Sequence, residues 1–403
     1  MRTLAIAFLV VPLASGLVVA CADDETARPT ADPDSGTLES NDAGAPDVAD
    51  ARPPFDGAAP PIVCAVTPCI TRIVAGTNHY CAIADDGVVR CWGRPTALGN
   101  FAAASAGGGA TPVTLAGIGD VSDLAASTLR TCIAHTDGSV DCFGLDMPAP
   151  TRVANVTGAT KLAVGDDRSC AVAAGGAVAC WGDSASTGKG ETNAALGGEP
   201  AASAAISATA AFVVSAKGDV YSWGADATML GRDTPLSVDL EPGRVEGLPP
   251  AREVALSERH VCATTTDGRL FCWGNGDSGG LGIGSFRTVS SPTEVLFLGD
   301  GYPAQVAVAL THSCARMTDG SLMCWGRTNS TGVLGYSDTL GVFVPTRVSL
   351  EMRVAAVATG TGSTCILATD GSVWCWGDNS FGQLGIGARD ADRHWQPTRV
   401  VFP

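Results

Sequence analysis

The chain has 403 residues, with 50 glycines, 15 cysteines, 16% charged residues and a formal net charge of −16. That balance disfavours recognition of nucleic acid through a basic surface, because a polyanion would be repelled. The length exceeds one average domain, yet all-β propellers and barrels reach it as single units, so the internal pattern must set the domain count.

Residues 1–21 read as an export signal. Arg2 supplies the positive start, Leu4 to Val11 the apolar core, and small residues precede Cys21. The last five, Leu17-Val18-Val19-Ala20-Cys21, resemble the lipobox of bacterial lipoproteins. The resemblance implies cleavage before Cys21, lipid attachment to that cysteine, and a mature N-terminus held on a membrane by its lipid alone. The alternatives are a plain secretory signal with a chance cysteine, or an uncleaved anchor helix. Pro12 and the Ser15-Gly16 pair weaken the latter.

Residues 22–61 are Asp, Pro, Ala, Gly and Thr with almost no large apolar side chain before Phe55, too little to offset chain entropy. A disordered tether is expected. It holds ten acidic residues against Arg28 and Arg52, a net −8 that is half of the total, and leaves −9 spread over residues 62–403, so the folded part is only mildly acidic. A solvated spacer is the commoner reading of such a run, a binding tail the other.

From Ile70 the chain repeats. The first copy is Cys81-Ala-Ile-Ala-Asp-Asp86-Gly87-Val-Val-Arg-Cys91-Trp92-Gly93, and six more centre on Asp137-Gly138, Gly175-Gly176, Lys217-Gly218, Asp267-Gly268, Asp319-Gly320 and Asp370-Gly371. Each reads as a strand, a turn ending in Gly and a second strand, the order of a β-hairpin. The position at the end of the second strand recurs at residues 91, 142, 180, 222, 272, 324 and 375. Units of about 40 to 50 residues suit four-stranded blades, and seven of them close a propeller. A Pro-Thr-Arg-Val type segment precedes every unit but the first and reappears at the end as Gln396-Pro397-Thr398-Arg399-Val400. The C-terminal strand is therefore expected to complete the first blade and close the ring, leaving no long unpaired edge.

Gly-x-x-His-x-Cys, Asp-Gly, Cys-Trp-Gly and a following Leu-Gly (Leu281-Gly282, Leu334-Gly335, Leu384-Gly385) resemble the repeats of the regulator of chromosome condensation family. The resemblance covers residues 70–403 and implies a seven-bladed β-propeller. It leaves function open, since such repeats serve nucleotide-exchange factors, ubiquitin-ligase modules and secreted bacterial inhibitors. Three units depart from the pattern. The second has Phe143 in place of Trp and no Leu-Gly loop, the third lacks the turn Asp, and the fourth lacks both cysteines, so shortened or irregular blades are expected there.

Six cysteine pairs lie ten residues apart: Cys81 with Cys91, Cys132 with Cys142, Cys170 with Cys180, Cys262 with Cys272, Cys314 with Cys324, and Cys365 with Cys375. A hairpin turn midway between the members sets them opposite one another on adjacent strands, close enough to bridge. The fourth unit has Phe212 and Ser222 at these positions, so both partners are lost together. Cys64 and Cys69 form a short seventh pair, which leaves Cys21 for the lipid. A zinc site is a poor alternative, because the Cys-x2-Cys spacing is absent.

No nucleophile triad, His-Glu-x-x-His, phosphate loop or calcium loop is visible, and neither an enzyme nor a cofactor or metal is expected. His79, His260 and His312 each stand two residues before a repeat cysteine and read as structural, whereas His135 and His394 are isolated. Asp166-Asp167 or Asp183 could converge at the propeller mouth, though solvated turns are the commoner fate of such residues. Trp92, Trp181, Trp223, Trp273, Trp325 and Trp376 share one repeat position and read as core. The segments after Trp-Gly vary most, and Phe286, Arg287, Tyr336, Phe381 and Trp395 within them form the candidate binding face. The expectation is an exported, lipid-anchored, monomeric module that binds a protein at the cell envelope or outside the cell. Carbohydrate or cell-wall binding is the alternative, and a hydrolase or lyase at the propeller mouth a third reading.

Overall fold

A computed structural model describes residues 55–403, apart from 104–107, 183–195, 197, 236, 300, 328–330 and 338–340. The expected signal, Cys21, the tether as far as residue 54, and Asp183 lie outside the described residues.

The described chain is almost wholly β, with 27 strands in seven antiparallel sheets. Each sheet takes its strands in chain order, so every blade is a local meander. Blades 1 to 7 span residues 70–114, 121–152, 159–182, 201–244, 251–294, 303–347 and 354–399. Blade 5 is typical: Ala251–Leu256, His260–Thr265, Leu270–Gly274 and Val289–Glu294 run from the inside outwards. All six residues of its second strand are buried, as they are in blades 1, 4, 6 and 7. A strand covered by neighbouring blades on both faces needs a continuous run of small and apolar residues, which is why these segments do not alternate. The turn between the second and third strands needs a residue of positive φ, which Gly268 supplies at φ 84. In the blade 6 turn, the Asp319 carboxylate accepts the Ser321 N–H at 2.8 Å.

The first strands of neighbouring blades contact one another around a central channel. Their third residues stitch blade to blade. Arg72 of blade 1 forms an ion pair with Asp123 of blade 2, and Asp123 accepts the Leu162 N–H of blade 3 at 2.7 Å. Gln305 of blade 6 both accepts from and donates to the backbone of Val357 in blade 7, at 3.0 and 3.3 Å.

The C-terminal strand does not complete blade 1. His394–Arg399 pairs with Val373–Gly377 as the outermost strand of blade 7. The Pro-Thr-Arg segments belong to the preceding blade, because a short antiparallel return is a more local connection than one around the ring. Side chains close the ring instead, with isolated backbone bonds such as Thr361 N–H to Thr77 O at 2.9 Å and Ile70 N–H to Gly371 O at 3.0 Å. Tyr80 of blade 1 bonds Ser363 of blade 7 at 2.8 Å, the Trp92 indole donates to Gln383 O at 3.0 Å, and Phe402 packs edge-on to Trp92. Outer edges thus remain, and Pro242, Pro292, Pro345 and Pro397 occupy the same position of four of them. A proline removes an edge donor and blunts pairing with a further strand.

Blade 4 is a regular four-stranded sheet despite its missing cysteines, with Phe212 opposite Ser222 in the same register. Blade 3 has three strands among the described residues, and the outer strand of blade 2 is only Thr151–Arg152. Phe55–Pro61, read from sequence as the end of the tether, packs on the propeller. The Phe55 ring lies edge-on to Tyr302 at 5.5 Å and under the Arg252 guanidinium at 5.2 Å.

Candidate functional site

Six hairpins carry a disulfide between their second and third strands. Cys81 is bonded to Cys91, Cys132 to Cys142, Cys170 to Cys180, Cys262 to Cys272, Cys314 to Cys324 and Cys365 to Cys375. The two members sit directly opposite in register, with Cα atoms 4.0–4.1 Å apart in every case. Cys142, Cys272 and Cys375 are fully buried beside their partners, whereas Cys180 of blade 3 is only partly covered. Cys64 and Cys69 are bonded as well, with Cα atoms 5.4 Å apart. Asp85 lies beside that pair, but thiols held in a disulfide offer no thiolate to a metal.

Trp92, Trp223, Trp273, Trp325 and Trp376 are fully or almost fully buried, while Trp181 of blade 3 is only partly so. Four of these indoles donate to a loop of the preceding blade. Trp92 bonds Gln383 O, Trp273 Met229 O, Trp325 Gly280 O and Trp376 Val333 O, at 2.7–3.0 Å. Each acceptor lies within two residues of a Leu-Gly pair whose leucine is fully buried. Leu98-Gly99 and Leu230-Gly231 are further copies that sequence reading did not single out, hidden by divergent flanks.

The histidines of the repeat also act between blades. His79, His260 and His312 are fully buried, and their Nε2 atoms meet Thr131, Ser313 and Thr364 of the next blade at 2.8, 2.7 and 3.0 Å. Burial holds their pKa values down, to about 4, 4 and 3. They are neutral latches. Of the isolated pair, His135 meets Asp141 and His394 meets Asp390, at 2.9 and 2.7 Å.

One end of the channel opens into a mouth of about 140 Å³ lined by all seven blades. Its ionisable lining residues are Asp166 and Glu258. Asp166 accepts the Thr128 N–H at 2.8 Å, and Glu258 accepts the Ala208 N–H at 3.0 Å. Burial raises the Glu258 pKa, and the negative charge of Asp166 and Asp167 adds to this. Both carboxylates are therefore committed to capping a neighbouring blade, the task that the Thr77–Thr128 hydroxyl pair performs between blades 1 and 2 at 2.6 Å. Deeper in the channel, burial pushes the Glu253 pKa up to about 7, opposed chiefly by the charge of Arg316.

The third strands end beside the starts of the second strands, so the variable loops leave on the side of this mouth. Each leans on the next blade. Phe286 packs against Phe343 of blade 6 with ring centroids 4.2 Å apart and planes tilted by 55°, and Phe381 lies under Arg94 of blade 1 at 5.2 Å. Phe286 and Arg287 are exposed. Tyr336 and Trp395 meet in a separate groove between blades 6 and 7, together with Trp374, which sequence reading passed over. The five candidates thus fall into three places along blades 5 to 7. The Asp-Gly turns form the opposite end, where residues 55–69 enter: Val63 and Ala65 donate to Thr369 O and Asp370 O.

Models of the regulator of chromosome condensation (RCC1) repeat match residues 70–97, 251–279 and 354–383, and a second such model matches 267–316, 319–367 and 370–403. The chain is 34% identical over 189 residues to the mouse E3 ubiquitin-protein ligase HERC2, covering 44% of this chain and 4% of that protein. It is 30% identical over 237 residues to the Arabidopsis thaliana ultraviolet-B receptor UVR8, covering 55% and 53%. The chain therefore spans about half or less of the length of these relatives. Among solved structures, Prp20p of Saccharomyces cerevisiae superposes with a TM-score of 0.50 at 20% identity, covering 82% of this chain and 77% of that one. The ectodomain of the Physcomitrella patens receptor kinase CR4 gives 0.50 at 19%, covering 77% and 73%. The repeat matches and the seven observed blades agree: the chain is a seven-bladed propeller built of regulator of chromosome condensation repeats.

Proposed function

We propose that the protein is a non-enzymatic interaction module, exported and lipid-anchored at Cys21, that offers the long loops of blades 5 to 7 to a protein partner. The observation that carries this reading is the separation of the two ends. The chain enters the propeller among the Asp-Gly turns, while the loops bearing Phe286 and Arg287 leave at the other end. The loops therefore lie on the end of the propeller away from the point where residues 55–69 enter. The committed carboxylates at the mouth favour recognition over catalysis. Support for a protein partner also comes from the solved relatives, since Prp20p is described by its binding to Gsp1p and histones, and yeast RCC1 was solved bound to Kap60.

The test is cross-linking of the full chain at the cell envelope. A partner lost on Phe286→Ala with Arg287→Ala supports the reading, whereas retention of every cross-linked species by that variant overturns it. The anchor is tested separately. A Cys21→Ser variant that takes up labelled palmitate as wild type does would sink it.

A further inference from the structure

The groove between blades 6 and 7 is built from residues that break the repeat. Third-strand residues at the Trp374 position are Arg90, Asp141, Ala179, Tyr221, Phe271 and Met323 in the other blades. The outer-strand position of Trp395 holds Leu240, Ser290 and Phe343 in blades 4 to 6. Blade 7 alone has tryptophan at both. The fold does not need them there, since six other blades close without them.

Trp374 and Trp376 are two apart on one strand and so project to the same face of blade 7. Trp376 fills the interface with blade 6, which leaves Trp374 at the outer rim of that interface. Its indole N–H is satisfied by Ser372 Oγ at 2.9 Å, so the ring edge is fixed and its π-face is what remains. Tyr336, Leu350 and Met352 complete an apolar floor against the buried cluster of blades 6 and 7. Trp395, 38% exposed, stands on the rim. The walls are polar: Ser337, Ser349 and Gln396, with Arg347 and Glu351 supplying one charge of each sign.

We propose that this groove binds a neutral saccharide, with Trp395 and Trp374 as stacking surfaces for the apolar C–H face of a sugar ring and the polar walls bonding its hydroxyls. Three features select that class. The volume of about 460 Å³ suits a compact ligand, within the roughly 300–1,000 Å³ of small-molecule sites. The wall charges cancel, which removes the incentive for an ionic ligand. Pro397 on the adjoining outer strand lacks the N–H that an extended peptide would need in order to pair there. The saccharide site is independent of the loops that carry Phe286.

The experiment is calorimetric titration of the full chain with neutral tetrasaccharides, namely β-1,4-linked glucose, β-1,4-linked N-acetylglucosamine and α-1,6-linked mannose, beside a Pro-rich decapeptide. Binding of at least one sugar is expected. It should weaken about tenfold or more in Trp395→Ala, partly recover in Trp395→Phe, and stay unchanged in Phe286→Ala. Trp395 is on an outer strand and exposed, and Gln396→Ala serves as a second, milder variant. No heat with any of the sugars, binding indifferent to Trp395→Ala and Gln396→Ala, or binding of the peptide alone would each overturn the proposal. Loss of the envelope partner with sugar binding intact would separate failure of the module reading from failure of this one.

Discussion

Gly282 lies against the indole of Trp325, and a Cβ on that glycine would come within 2.6 Å of Nε1. The same relationship joins Gly231 to Trp273, at 2.8 Å, and Gly385 to Trp92, at 3.1 Å. Each indole donates to a carbonyl within two residues of its glycine, so ring and loop are fixed by one hydrogen bond and one close contact. Leucine plugs the seam beside it. The variable loops that follow Trp-Gly are thereby anchored at one point, and only their remainder is available for recognition.

Gly282→Ala is expected to be destabilising out of proportion to one methyl group. Its φ of 71 is strained for alanine, at roughly 1–3 kcal/mol, and the Cβ also displaces the Trp325 ring. Gly247→Ala has a similar φ of 74 with open space around it, and should cost only the backbone part. Urea denaturation of the two variants separates the terms, and equal losses would show that the Trp325 contact contributes nothing.

The histidine latches make stability fall on mild acidification. Unfolded, His79, His260 and His312 protonate near pH 6.5, but folded they resist until about pH 4 or 3. Between those values the unfolded state binds more protons, so stability present above pH 6.5 is progressively lost as the pH falls. Each histidine accounts for roughly 3 kcal/mol by pH 4. Glu253 works in the opposite sense, because its raised folded pKa of about 7 makes the folded state gain protons first. Melting from pH 7 to 5 should show a net loss, steeper in Glu253→Gln. A flat profile in that variant would contradict the latch.

The blade count and the cysteine register were readable because both are fixed by period: a hairpin centred between two cysteines places them opposite one another in any blade, as Cys314 and Cys324 are. The ownership of the outer strand was not. Gln396-Pro397-Thr398-Arg399 has the same local pattern whether it pairs forwards or backwards, and only the length and course of the connecting loop decides. The regularity of blade 4 was hidden for a related reason, since Phe212 and Ser222 keep the pairing without a bond: Phe212 packs on Trp273 and Ser222 donates to Leu230 O at 2.6 Å. At the candidate site, Tyr336 and Trp395 were legible as aromatic residues in variable segments. Trp374 was not, because it sits inside the repeat two residues from Trp376, and its significance is its contrast with Met323 and Phe271.

Removing one hairpin disulfide by the double change Cys314→Ser with Cys324→Ser is expected to cost roughly 2–3 kcal/mol by loop-closure entropy, less where the hairpin persists in the unfolded chain. Both sulfurs are fully buried, so the serines add a polar penalty unless they bond as Ser222 does. Cys314→Ala with Cys324→Ala isolates the entropic part. Thermal unfolding of the two doubles checks this, and a wild-type midpoint for the alanine pair would show that the bridge does not stabilise blade 6.

Tyr80 bears on how the ring is shut. Its hydroxyl bonds Ser363 Oγ at 2.8 Å and accepts the Gly360 N–H at 3.0 Å, both across the seam between blades 1 and 7. Burial raises the phenol pKa, so it stays protonated throughout the physiological range. Tyr80→Phe keeps the ring stacked on Trp92, 5.8 Å away, while it deprives buried Ser363 of its partner. The cost should be about 1–3 kcal/mol. Because strand exchange does not hold this seam, the loss should be local: amides of Gly360 and Thr361 should exchange with solvent faster, while those of blade 4 keep their wild-type rates. Uniformly faster exchange in every blade would mean instead that the ring opens as one unit and has no weakest joint.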